Sequence, residues 1–113
     1  MQIIRSLSAL GQDTRLSVFR LLLKASPNAV VAGNIAIDLE VIPATLSRHL
    51  KELVDAGLVS SVRSGREISY SVNIEGTREL LSFLVFECCD GHPELCFSGQ
   101  KRSDLSSGIS NEI

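Results

Sequence analysis

The chain's only thiols, Cys88, Cys89 and Cys96, lie in one ten-residue stretch, ECCDGHPELC, spanning 87–96. Thiolates are ligands for soft ions, and in other settings nucleophiles or redox couples. Neighbouring residues on a helix point about 100° apart, so the Cys88 and Cys89 sulfurs diverge unless the helix ends beside them. Gly91-His92-Pro93 supplies that end: glycine permits a reversal, and proline cannot extend a helix. The chain can then return and bring Cys96 toward the pair. Three convergent thiolates without a fourth ligand suit an ion of trigonal-pyramidal habit such as As(III) or Sb(III). Zinc prefers four ligands and would have to recruit Asp90, His92 or a group from a second subunit. A reversible disulfide is the redox alternative. A thiol enzyme is the weakest reading, because no His–acid arrangement or phosphate-binding loop accompanies the pair. No catalytic residue and no organic cofactor are therefore assigned.

Composition bounds the setting. At 113 residues, with 44% apolar and 21% charged positions, the chain fits one ordinary soluble domain. No apolar run approaches the roughly 20 residues that span a bilayer, and MQIIRSLSALGQDTR lacks the apolar length of a signal peptide. A cytoplasmic location follows, with reduced thiols, and the odd cysteine count also argues against a disulfide framework. The net charge of −2 counts mildly against nucleic acid, so any DNA-binding claim must rest on local features.

Periodicity supplies the elements that would position these groups. In residues 3–10, Ile3, Leu7 and Leu10 share a helical face, with Ile4 beside them. A second helix over 14–25, capped by Asp13 or a neighbour, repeats Leu16, Phe19, Leu22 and Leu23. Ser26-Pro27-Asn28 is a turn signal. A short third helix covers 32–39, with Ile35 and Leu39 inward. In PATLSRHLKELVDAGLV, Pro43 suits the first helical position, Leu46, Leu50, Leu53 and Val54 form the apolar stripe, and Gly57 ends the helix. LVSSV and ISYSV then read as two strands joined through RSGR, with Gly65 in the turn. A last helix runs from about Asn73 to Cys89. Residues 1–96 are expected to form one domain, and the polar, periodless tail 97–113 is expected to be disordered.

A short helix, a tight turn, a longer amphipathic helix and a hairpin make the layout of a winged helix-turn-helix. The expected class is mainly α with a β-hairpin wing, about five helices and two strands. Such domains place the second helix of the pair in a major groove. That puts Ala44, Thr45, Ser47 and Arg48 at the bases, with Arg48 the best bidentate partner for guanine and Lys51 directed at phosphate. Arg63 and Arg66 flank the hairpin tip, within reach of backbone or minor groove. Between residues 42 and 72 four cations face three acids, so the electrostatic surplus is slight. His49 borders the apolar stripe and reads as a boundary residue.

The stretches ALG-x-x-x-R-L, ATLSRHLKEL, AGLV and GR-x-x-x-Y occur here in one order and spacing. In that combination the chain, over roughly residues 5–96, resembles the ArsR–SmtB family of bacterial metal-responsive repressors. The resemblance implies a homodimer that holds operator DNA and leaves it when metal binds. It departs from the family at Glu40, where glycine is usual, and in lacking both the cysteine pair of the third helix and the Asp/His zinc site of the last. CC-x-GHPELC is similar instead to an arsenic-responsive subgroup carrying a vicinal pair and a third cysteine near the C-terminus.

The segment ELLSFLVFECC is apolar around nearly its whole circumference, interrupted by Ser82 and Glu87. Such a helix must be buried on more than one face, which a domain this small achieves most simply with a twofold partner. The expected homodimer forms through the first and last helices.

Overall fold

The computed structural model describes residues 3–87, so Cys88, Cys89, Cys96 and the tail lie outside the described residues. The order is α1 (Ile3–Leu10), α2 (Asp13–Ala25), β1 (Val30–Val31), α3 (Ala32–Leu39), α4 (Pro43–Asp55), β2 (Val59–Ser64), β3 (Glu67–Val72) and α5 (Ile74–Ser82). A π-helical turn, Phe83–Glu87, follows. The chain divides into two compact units, Met1–Glu79 and Leu80 onward.

The core of the first unit is aliphatic apart from Phe19. Val18, Phe19 and Leu22 of α2, Ile35 of α3, and Leu46, Leu50 and Leu53 of α4 are buried, together with Leu58, Val59 and Val72. Each fully buried Leu or Ile contributes about 1.5–3 kcal/mol of hydrophobic stabilisation. The α4 stripe is the one its periodicity predicts, except that Val54 is only half-buried. On α2 the expectation fails in part: Leu16 and Leu23 are 40% and 44% exposed. The buried stripe there is Val18, Phe19 and Leu22, narrower than the run of leucines suggests.

On α1 the buried residues do not come from the apolar face. Its buried residues are the small Ser6 and Ala9, while Leu7 and Ile4 are exposed. Ser6 Oγ donates to the Ala56 carbonyl at 3.3 Å, a buried contact that a bulky residue would prevent. The helix thus packs its small side chains against the rest of the domain, leaving Ile4 and Leu7 exposed and Ile3 and Leu10 half-buried.

Local chemistry sets the ends of α2 and α4. The Gln12 side chain accepts the Arg15 N–H at 2.9 Å at the start of α2, and Asp13 favours the positive end of that helix's dipole. At the other end of α4, Gly57 takes φ 83, its N–H reaches the Val54 carbonyl, and the Leu58 N–H reaches that of Leu53. This is a Schellman stop, with the fully buried Leu53 and Leu58 as its apolar pair.

The hairpin is in the expected place. Ser64 pairs with Glu67 around Gly65-Arg66, and Gly65 at φ 62 occupies the first central position of a two-residue turn. A third strand joins it, against the expectation of two: Val30 and Val31 of β1 pair with Tyr70 and Ser69, giving the order β1-β3-β2. Two valines running directly into a helix show no alternation by which a strand is read. The last helix departs from its expected course at Phe83, where the wider π turn shifts the phase of the side chains that follow.

Between α3 and α4, Glu40 adopts φ 54, ψ 48. Its N–H reaches the Ile37 carbonyl and that of Val41 reaches Ala36, the same two-bond stop as at Gly57. A non-glycine residue in this region is strained by about 1–2 kcal/mol, partly offset by the greater freedom glycine has when unfolded. Glu40→Gly is therefore expected to stabilise the fold by about 0.5–1 kcal/mol, measured as a higher urea midpoint at unchanged slope.

Candidate nucleic-acid interface

Helix α4 projects a face that the core does not use. With Leu46, Leu50 and Leu53 inward, Ala44, Ser47, Arg48 and Lys51 fall within about 100° of one another on the opposite side, and all four are exposed. Thr45 lies on the flank of that sector and is half-buried. Arg48 meets no acid among the described residues. Lys51 does: its Nζ lies 3.0 Å from Asp55 Oδ2, and Arg5 of α1 approaches the same oxygen at 3.6 Å. Exposed pairs of this kind are worth about 0.2–1 kcal/mol, so a phosphate can compete for Lys51 at small cost. Arg63 and Arg66, with the turn between them, are exposed at the hairpin tip. The structure thus brings Ala44, Ser47, Arg48 and Lys51 onto one face, and holds Arg63 and Arg66 on a separate projection.

Comparison with known proteins bears on this arrangement. Residues 10–62 match a helix-turn-helix domain family. The curated proteins contain no detectable relative. Among solved structures, HlyU from Vibrio cholerae is 27% identical, covering 74% of this chain and 90% of that one at TM-score 0.59. An ArsR-like transcriptional regulator from Rhodococcus is 26% identical, covering 83% and 86% at TM-score 0.69. A homodimeric winged helix-turn-helix DNA-binding domain from Mycobacterium bovis is 24% identical, covering 90% and 87% at TM-score 0.62. The fold is a winged helix-turn-helix. In the terms of that fold α3 and α4 are the helix pair, α4 is the recognition helix, and β2–β3 is the wing.

Two features of the recognition helix escape a reading of the sequence. The first is its N-cap. Ile42 holds that position at φ −61, ψ 131, with no side-chain hydrogen bond, and is 70% exposed. A polar cap there is ordinarily worth about 1 kcal/mol.

The second is a clamp centred on Arg15. Its Nε donates to the Ala9 carbonyl at 2.7 Å, and its Nη1 lies 3.2 Å from His49 Nδ1. One guanidinium therefore joins the end of α1, the start of α2 and the middle of the recognition helix. The geometry requires a neutral His49 with its proton on Nε2, so that Nδ1 accepts. Burial, and then the nearby charges of Arg15 and Arg48, hold the imidazole below its usual range. A depressed folded-state pKa means that the unfolded chain binds the proton more readily. The contribution of His49 to stability is complete above the unfolded value of about 6.5 and is lost as pH falls below it. Comparing unfolding midpoints from pH 7.5 down to 5, the loss is expected to be larger in the wild type than in His49→Gln, which keeps an acceptor but cannot titrate.

Among the described residues no group of three or more His, Cys, Asp or Glu side chains could hold a metal ion. No helix among them is long and apolar enough to cross a membrane. The candidate ligands Cys88, Cys89 and Cys96 lie outside the described residues.

Proposed function

We propose that this chain is a transcriptional repressor that binds double-stranded operator DNA as a homodimer and is released when Cys88, Cys89 and Cys96 take up As(III) or Sb(III). The observation that carries the DNA-binding reading is the exposed face of α4, with an arginine that meets no acid among the described residues, beside short residues, on the element that this fold presents to a major groove. The helix-turn-helix match and the regulator neighbours support it.

The homodimer is supported by apolar surface that monomers seldom leave uncovered. Ile4 and Leu7 of α1 are 84% and 46% exposed, and in the second unit Leu81, Leu84 and Phe86 are exposed as well. A helix that leaves Ile4 and Leu7 exposed in this way is best explained by a second copy.

The inducer reading rests on the donor set. Three thiols within nine residues, in a chain with no other cysteine, fit a soft trivalent ion that needs no fourth ligand. Bound there, the metalloid would cross-link the sulfurs that follow the last helix. Operator and inducer must oppose each other equally, by a coupling of about 1–3 kcal/mol in typical allosteric proteins.

The test is fluorescence anisotropy of the reduced protein on an operator selected from random duplexes, titrated with As(III) and separately with Zn(II). As(III) is expected to release the wild type. The triple variant Cys88→Ser, Cys89→Ser, Cys96→Ser is expected to bind DNA and stay bound. Release of that variant by As(III) would sink the sensing reading. Release of the wild type by peroxide but not by As(III) would replace it with a redox switch.

A further inference from the structure

We infer that Ile42 is a sequence-reading residue, making apolar contact with a thymine 5-methyl group at the edge of the operator half-site. This rests on α4 entering a major groove and goes beyond it by assigning a base preference to a residue outside the helix's polar face.

Three observations meet at this position. Ile42 is the N-cap of α4 but gives the helix no cap hydrogen bond. Nor does it serve the core: it is 70% exposed, whereas Leu46, one turn on, is 1% exposed. The backbone at the same turn carries a second local cost, Glu40 in the left-handed region. Sequences that forgo capping and tolerate strain at one turn tend to do so where something other than stability is served.

Position and chemistry limit what that is. Ile42 immediately precedes Pro43 and Ala44, at the end of α4 from which Ala44, Ser47 and Arg48 face outward. In a major groove every base edge offers hydrogen-bond donors or acceptors, and thymine alone adds an apolar projection, the 5-methyl beside its O4 acceptor. An isoleucine has nothing to give the polar edges and a branched apolar surface to give that methyl. The occupant is therefore a thymine methyl rather than a phosphate or a guanine edge.

The experiment uses full-length reduced protein. Operators are selected from random duplex DNA, and each thymine of the winning site is replaced in turn by deoxyuridine, which lacks only the methyl. At one thymine per half-site the wild type is expected to lose about three- to fivefold in affinity, the scale of one buried methyl group. Ile42→Ser is expected to bind the unmodified operator more weakly by a similar factor and to ignore that deoxyuridine. Ile42→Val is expected to retain the sensitivity. Thermal melts separate this from a structural role: serine is a better cap, so Ile42→Ser should unfold at the same or a higher temperature while binding less well. If Ile42→Ser keeps both wild-type affinity and wild-type sensitivity to every deoxyuridine, the assignment is wrong. If the wild type selects no duplex, the DNA-binding reading falls and the assignment with it.

Discussion

Gly76→Ala is expected to destabilise the protein by about 3 kcal/mol, in the opposite direction from glycine-to-alanine changes elsewhere on helix surfaces. Gly76 lies in the first turn of α5, its N–H donating to Asn73 Oδ1 at 3.2 Å. Asn73 in turn donates its own N–H to the Leu58 carbonyl at 2.9 Å. These bonds bring α5 against the stop of α4 so closely that a Cβ on Gly76 would fall on the Gly57 carbonyl oxygen, with the carbonyl carbon 2.8 Å away. The obstacle is backbone, which cannot rotate aside as a side chain would. Intrinsic propensity would reward alanine here by about 1 kcal/mol. Overpacking against a fixed neighbour costs typically 1–3 kcal/mol and more where the backbone must shift. Equilibrium urea unfolding decides between the two. Gly33 is an internal control, because a Cβ there meets nothing within 4 Å, so Gly33→Ala should leave stability equal or higher.

Arg48→Ala is expected to weaken binding to a selected operator by about 1–3 kcal/mol, roughly 5- to 150-fold, while leaving the urea midpoint unchanged. Arg48 is exposed, lies opposite the buried stripe and meets no acid among the described residues, so the fold loses little when it is truncated. The loss should be uneven across sequences, largest where a guanine is replaced. Lys51→Ala serves as the contrast. A lysine already shared with Asp55 and directed at phosphate should lower affinity for all duplexes alike and reduce the salt dependence by about one unit of slope. An Arg48→Ala loss that is small and indifferent to sequence would remove arginine from the reading set.

What could be read from the sequence follows the strength of each local signal. Helix α4 carries a proline start, an apolar stripe and a glycine stop, three independent marks; the start and stop are realised, and of the stripe Leu46, Leu50 and Leu53 are buried while Val54 is half-buried. The wing was legible because Gly65 punctuates an alternating pair of segments. Helix α1 was legible as a helix but not in orientation. Periodicity reveals an apolar face without saying what covers it, and here Ser6 and Ala9 take the inward side. β1 has only two residues, and its pairing with β3 is a long-range contact. The Arg15–His49 clamp joins residues 34 positions apart, so no window on the sequence contains it. Of the candidate site, the α4 face and the hairpin tip were readable as surface. The cysteines speak only through their types and spacing.

The small strand β1 has a mechanical meaning. It pairs with β3 and runs without a break into α3, whose N-cap is Val31 itself. The wing is thus tied to the helix pair along the middle of β3, in addition to the short connection through Leu58 and Val59 that links β2 to α4. A hairpin held only at its root can swing; one also held along its flank moves with its mounting. Recognition helix and wing thus form a single tool, and whatever displaces the one carries the other with it.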